Sequence, residues 1–205
     1  MKNHFNLYLF VSVLFVVGGI FGVLLVNALT LEQQQELASE VAGYVQQMDA
    51  GVSSSAETVF WERFFFHLKW LLLIWILGMT VIGIPGILAL NFLKGALVGF
   101  SVGILIQHYE WEGVFFSFIT LAPQNALAIP ALIITSAASI SFGVFIVKNR
   151  LFQQKGELLP EFGSFASTSV MMLLLFAGAA LIEAYLSPAI IGWAVPHLSP
   201  LNGMI

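Results

Sequence analysis

Long apolar runs alternate with short polar segments along this 205-residue chain. The first run covers residues 7–29 and contains no charged side chain. The hydrocarbon core of a bilayer is about 30 Å thick, so a helix needs about 20 apolar residues to cross it. A helix also pairs its own backbone polar groups, as lipid requires. The pattern predicts membrane-spanning helices at 7–29, 68–90, 93–107, 126–147 and 165–186.

The polar segment after the first run predicts a helix outside the bilayer. Thr30 and Gln33 have the spacing of a capping box, in which each side chain bonds the backbone amide of the other residue. Within residues 31–48, apolar side chains recur at helical spacing on one face. We expect an extracytoplasmic amphipathic helix there. A solvated helix that only links two spans is one interpretation; the other is a surface for a partner, with these candidate residues: Glu32, Glu36, Glu40 and Tyr44.

A shorter apolar segment lies before the fourth predicted span. Residues 113–125 are too short to cross the bilayer and predict a re-entrant or interfacial segment. The segment ends at Pro123, Gln124 and Asn125. Two adjacent amides can pair with the free backbone groups of a broken helix, and such breaks also line transporter sites. Both interpretations remain open.

Composition narrows the fold class. The chain is 59% hydrophobic and 9% charged, whereas a soluble domain has about 25% charged residues. The predicted loops are too short for a separate catalytic domain. We therefore predict an all-α protein in which residues 1–205 form one polytopic membrane helix bundle with about five transmembrane helices. The chain has no cysteine, so it cannot form disulfides or use thiol chemistry.

The basic residues predict the orientation. Lysine and arginine are enriched in cytoplasmic loops. Lys2, Lys94 and the basic residues of 148–155 fall on one side if the amino terminus is cytoplasmic. Lys94 is expected in a tight turn between the second and third spans. The acidic segments and the carboxyl terminus are then extracytoplasmic. We expect the first span to be a retained anchor, with a cleaved signal peptide as the alternative.

Glycines predict where helices pack closely. Gly95, Gly99 and Gly103 recur every fourth residue and form a groove for another helix. The same residues match the G-x-S-x-G pattern of serine hydrolases, but that motif requires a strand-to-helix elbow in an α/β sheet. We therefore interpret the glycines as packing residues. Pro85 predicts a kink in the second span.

Glu183 is the acidic residue within a hydrophobic run. A charge inside the membrane is costly, so such a residue usually pairs with another group or has a function. Lys69 and Arg63, at the entry to the second span, are the predicted partners. A contact with another protein and an ion or proton site are the alternatives.

The sequence predicts no enzyme, metal site or cofactor. Its histidines lack the spacing of metal ligands, and no phosphate-binding loop is present. A basic patch for nucleic acid is also missing. The expected partners from the residues alone are membrane lipid and a possible homo-oligomer.

One stretch resembles a known family. Residues 121–131, which include Pro123, Gln124, Asn125 and Pro130, are similar to the stage II sporulation protein M family. Residues 182–188 are similar too. Relatives in the wider family often carry Pro-His-Gly and a later glutamate, whereas this chain has the two amides. An acid-based or metal role of that motif is therefore not carried over.

The resemblance implies a cell-membrane protein at the mother-cell septum, needed for engulfment in endospore formation. It further implies a non-enzymatic scaffold that anchors stage II sporulation proteins D and P, which degrade septal peptidoglycan. The alternative is a permease subunit that works with a separate ATPase. Such a permease would need a polar path built from a sparse set of residues: Ser101, Gln107, Gln124, Asn125 and Glu183.

Overall fold

The computed structural model describes residues 2–37, 39, 43, 55–80, 83–151 and 158–194. These residues are almost entirely helical and include no strand, so the predicted all-α class is confirmed. The elements are α1 (Lys2–Val26), α2 (described over 31–37), α3 (Ala56–Gly78), α4 (Gly83–Leu151), α5 (Leu158–Leu181), a π-helix (Ile182–Leu186) and α6 (Ser187–Ala194).

Helix α4 folds back on itself. The side chains of Asn91 and Ser136 hydrogen-bond at 2.7 Å although the two residues are 45 positions apart. A straight helix would separate them by about 67 Å. Gly143 likewise packs beside Ile84. Both contacts are symmetric about residues 113 and 114, so the chain reverses near the middle of α4.

The reversal divides α4 into two antiparallel arms, α4a (Gly83–Gln107) and α4b (Leu121–Asn149). Each arm is long and apolar enough to cross a bilayer, as are Phe5–Val26 and Leu158–Ile190. The predicted re-entrant or interfacial segment, residues 113–125, is helical and lies at the reversal. Its depth in the membrane stays a prediction.

The second and third predicted spans have wrong bounds. Residues 68–90 are not one helix, because α3 ends at Gly78 and α4 begins at Gly83. Residues 93–107 are the later part of α4a and not a separate helix. Hydropathy does not detect this break, since the residues around it are mostly apolar.

Local chemistry explains why the chain turns between α3 and α4. The Thr80 hydroxyl donates to the carbonyl of Leu77 at 2.9 Å. A Cβ on Gly83 would overlap that same carbonyl, so the turn requires glycine there. Pro85 lies in the first turn of α4, where its missing N–H breaks no helical hydrogen bond. The predicted kink at Pro85 is therefore replaced by a helix start.

The predicted tight turn at Lys94 is also wrong. Lys94 lies inside α4a, eleven residues after Gly83. Its ammonium lies 4.6 Å from the ring centroid of Phe66 and 5.3 Å from that of Trp70, both on α3. Aromatic faces attract cations, which helps to accommodate a lysine within this apolar helix. Lys2 and the basic segment 148–155 are therefore the residues that support the predicted orientation.

Helices α1 and α4a run parallel and in backbone contact. A Cβ on Gly99 would lie 2.6 Å from the carbonyl carbon of Gly19, and one on Gly103 would lie 2.8 Å from Cγ2 of Val26. Gly95 approaches α1 equally closely one turn earlier. The predicted glycine groove thus packs against the first helix.

Helix α5 runs antiparallel to both α4b and α3. Phe142 and Phe165 stack with ring centroids 4.8 Å apart, and Trp75 stacks on the same Phe165 at 5.9 Å. Near the opposite end, Leu127 lies beside Gly178. The apolar core lies between these helices and includes Ile74, Ile87, Leu132, Ala179 and Phe176.

The helix directions place basic and acidic side chains at opposite ends of the bundle. Lys2 and Lys148 lie at one end, together with the start of α5. Glu32, Glu36 and Glu62 lie at the other end, near the reversal of α4. The positive-inside rule makes the basic end cytoplasmic. This orientation remains a prediction.

Cysteine labelling tests the orientation. The natural chain has no cysteine, so each variant carries a single reporter. We expect Glu36→Cys to react with a membrane-impermeant maleimide in intact cells, and Lys148→Cys to react only after permeabilisation, because the two sites lie at opposite ends. The reverse labelling pattern would contradict the predicted orientation.

Alanine substitutions test the glycine contact. We expect Gly99→Ala to lower the unfolding free energy by about 1–3 kcal/mol, because its methyl group would overlap the backbone of α1. Gly19→Ala is the matched control, since a Cβ there would meet only the Gly95 carbonyl oxygen, at 3.7 Å. Thermal or denaturant unfolding in detergent measures both variants. Equal unfolding free energies of Gly99→Ala and Gly19→Ala would show that the overlap does not destabilise the protein.

Candidate functional site

The start of α2 carries the predicted cap and two acidic residues of the predicted partner surface. The Thr30 N–H donates to Oε1 of Gln33 at 3.1 Å, and the Gln33 N–H donates to Oγ1 of Thr30 at 3.4 Å. This reciprocal pair is the predicted capping box. Glu32 and Glu36 are exposed. The other two residues of that surface, Glu40 and Tyr44, lie outside the described residues.

A groove joins α2 to the ends of α1 and α4a. It is lined by Leu31 and Leu37 of α2, by Val26 of α1 and by Ile104 of α4a. The Gln34 side chain also donates to the Leu29 carbonyl at 3.1 Å. The bond therefore closes the turn that leads into α2, and the groove places the described part of α2 beside the ends of α1 and α4a.

Glu183 forms an ion pair between α3 and the segment after α5. Its Oε1 lies 3.1 Å from Nε of Arg63. The Glu183 side chain is 16% exposed and that of Arg63 is 44% exposed, so the carboxylate lies inside and the guanidinium lies at the rim. Of the two predicted partners, Arg63 makes this contact, and no ion pair of Lys69 occurs among the described residues.

A π-helix presents this carboxylate. Residues Ile182–Leu186 form the π-helix, and the Ser187 N–H donates to the Ile182 carbonyl across its wider turn. Short π-helical turns inside α-helices occur frequently at functional sites. The Ser187 hydroxyl lies 3.5 Å from Oε1 of Gln124 in α4b.

Lys94 brings a second cation to the ion pair. It interacts electrostatically with both Glu183 and Arg63, while its ammonium lies over the rings of Phe66 and Trp70. Sequence reasoning missed this residue as part of the site. The available signal was the pair of aromatic residues four positions apart on α3, which share a helix face.

His67 completes what we call the charged cluster: Arg63, His67, Lys94 and Glu183. The imidazole is only 7% exposed and stacks on Phe176, with centroids 5.1 Å apart. Its Nε2 has no hydrogen-bond partner among the described residues. The charges that act on it are those of Lys94 and Arg63. The sequence placed His67 among the interfacial residues at the entry to the second predicted span and did not predict it as part of this cluster.

The family-motif residues lie on α4b. Asn125 donates through Nδ2 to the Leu121 carbonyl at 2.8 Å, and Gln124 is the neighbour of Ser187. Pro123 and Pro130 lie inside the same helix. Asn125 therefore bonds within its own helix, whereas Gln124 contacts the segment after α5, and both interpretations of the motif stay predictions.

Buried polar side chains link the two arms of α4. Asn91 donates through Nδ2 to Ser136 and also to the Ile87 carbonyl, at 2.8 Å. One turn along α4b, Ser139 packs tightly against Gly78 of α3. Two buried atoms, Asn91 Oδ1 and Ser139 Oγ, lack a hydrogen-bond partner among the described residues.

Ser101, the serine of the hydrolase-like pattern, lies in the middle of α4a. Its hydroxyl donates to the Leu97 carbonyl at 3.0 Å, and its backbone is helical and not a strand-to-helix elbow. In the described part of the chain, no group of three or more His, Asp or Glu side chains could hold a metal ion.

The fold and the cluster define a polytopic membrane protein whose ionisable side chains meet between helices. The family model of stage II sporulation protein M matches residues 11–188. Within the described residues, this range includes the four candidate membrane spans except residues 5–10 of the first and 189–190 of the last. The chain therefore belongs to that family and is a sporulation membrane protein. No curated protein and no solved structure matches the chain significantly.

Neutralising the carboxylate tests the ion pair. We expect Glu183→Gln to insert normally but to lose about 1–3 kcal/mol of unfolding free energy, because Arg63 and Lys94 lose their negative partner. Glu62→Gln is the control, because Glu62 is next to Arg63 but exposed. It should leave the unfolding free energy nearly unchanged. Melting in detergent measures both. Unchanged melting of Glu183→Gln would remove the structural role of this pair.

Proposed function

We propose that this protein is a non-enzymatic membrane scaffold that anchors and positions a peptidoglycan-degrading complex at the septal membrane during engulfment. The observation that carries the proposal is the family match over residues 11–188. The proposed partners are stage II sporulation proteins D and P, and the proposed location is the mother-cell septal membrane. In this proposal the acidic end of the bundle is extracytoplasmic.

The arrangement of polar groups supports a scaffold. The exposed carboxylates of Glu32 and Glu36 lie at the acidic end, where a partner outside the cell could reach them. Glycine contacts pack α1 closely against α4a, the two helices that lead to that end. A firm bundle with an exposed charged rim can position another protein without chemistry of its own.

The second candidate function is a permease subunit that works with a separate ATPase. The observation in its favour is a set of buried polar atoms on α3 and on both arms of α4 that have no hydrogen-bond partner among the described residues: His67 Nε2, Asn91 Oδ1 and Ser139 Oγ. Polar atoms inside a membrane bundle can line a solute path. The family match favours the scaffold.

Charge reversal at the acidic end tests the scaffold. Tagged protein from sporulating cells should retain proteins D and P. We expect the double variant Glu32→Lys with Glu36→Lys to retain roughly fivefold less of them, since rim charges contribute on the order of 1 kcal/mol to recognition. Glu161→Lys is the matched control, because that exposed carboxylate lies at the basic end.

Two results would contradict the scaffold role. One is equal retention of both hydrolases by all variants and by an unrelated tagged membrane protein. The other is recovery of an ATPase together with ATP-dependent solute uptake in reconstituted vesicles, which would favour the permease. Peptidoglycan cleavage by the purified chain alone would contradict the non-enzymatic part.

A further inference from the structure

The charged cluster contains an excess of positive charge. Arg63 and Lys94 are two cations, whereas among the described residues Glu183 is the single carboxylate that interacts with both. An uncompensated charge among apolar helices is unfavourable, and one further negative charge would balance the cluster. We propose that the charged cluster binds the phosphate of an anionic phospholipid headgroup.

The donors that remain available suit a phosphate. The ion pair with Glu183 uses Nε of Arg63, and a guanidinium carries four other N–H donors that can bond two oxygens at once. The Lys94 ammonium can donate three hydrogen bonds. His67 adds a buried ring nitrogen, Nε2, that has no partner among the described residues. An imidazole N–H at that atom would donate to a phosphate oxygen.

The cluster is open on one side. The side chain of Arg63 is 44% exposed, and the neighbouring Phe66 is 41% exposed. His67, at 7%, closes the inner side. A headgroup can therefore enter from the surface of the bundle, with Arg63 at the rim and the imidazole behind it.

The surroundings favour a lipid over a soluble anion. Next to Arg63, the rings of Phe60, Trp61 and Phe64 form a contiguous aromatic group. Aromatic residues concentrate at the level of lipid headgroups. Apolar and aromatic surface at the rim suits acyl chains below a bound phosphate.

Native mass spectrometry of the detergent-solubilised full chain tests this inference. We expect phosphatidylglycerol to bind more tightly than phosphatidylcholine, because the choline cation would face Arg63 and Lys94. Lys94→Gln should weaken phosphatidylglycerol binding about tenfold, the effect of one charge-assisted hydrogen bond. Lys69→Gln, an exposed lysine on α3, removes the same charge outside the cluster and should leave binding unchanged.

The comparison of phosphatidylglycerol with phosphatidylcholine on the wild-type protein tests the inference before any variant is made. Equal affinity for the two lipids would overturn the inference, as would an equal loss in Lys69→Gln and Lys94→Gln. A further outcome is that inorganic phosphate displaces phosphatidylglycerol when the two are present at similar concentrations. That result would assign the site to a free anion and overturn the proposal of a lipid ligand. If Lys94→Gln does not fold, Arg63→Gln replaces it, with the same expected loss. The result is independent of whether proteins D and P bind.

Discussion

The backbone contact between α1 and α4a is the constraint on which the bundle depends. In lipid, apolar side chains gain little from leaving their surroundings, so helices associate through close packing and polar contacts. Gly99 and Gly103 let α4a approach α1 until side chains on either helix would collide. Because α4a is held in this way, Asn91 can meet Ser136 on the returning arm and Lys94 can face α3.

Polar groups then divide the bundle into two regions with different properties. Near the basic end, the contacts between α3, α4b and α5 are mostly aromatic stacking, as around Phe165. Toward the acidic end, ion pairing and cation–aromatic contacts of Arg63 and Lys94 join α3 to α4a and to the π-helix. Electrostatic contacts therefore connect the helices where the proposed partners would act, and apolar packing connects them at the opposite end.

Much of the architecture could be predicted from the sequence. The wrong predictions, the turn at Lys94 and the continuous second span, both relied on hydropathy. The all-α class, the capping box at Thr30 and the glycine groove depend on local spacing, which the sequence contains directly. Lys69 and Arg63 could be predicted as the two candidate partners of Glu183 because a buried charge needs an opposite charge nearby. Lys94 was misplaced because hydropathy treats a lysine in an apolar run as a loop residue. Its aromatic and acidic neighbours belong to other helices and appear only after folding. The break before Gly83 was missed because the sequence from 79 to 82 is mostly apolar and hydropathy therefore continues across it.

The π-helix sets the rotational position of the carboxyl-terminal segment. An α-helix advances by about 100° per residue. A π-turn takes up one residue more than an α-turn for about the same rotation. Glu183 faces α3 and Ser187 faces Gln124 of α4b through this wider turn at Ile182–Leu186. If the same residues wound as a regular α-helix, α6 would turn away from α4b by roughly the angle of one residue. Loss of one residue together with regular winding would leave α6 in place, so this is a point where the chain length can change without reorienting α6.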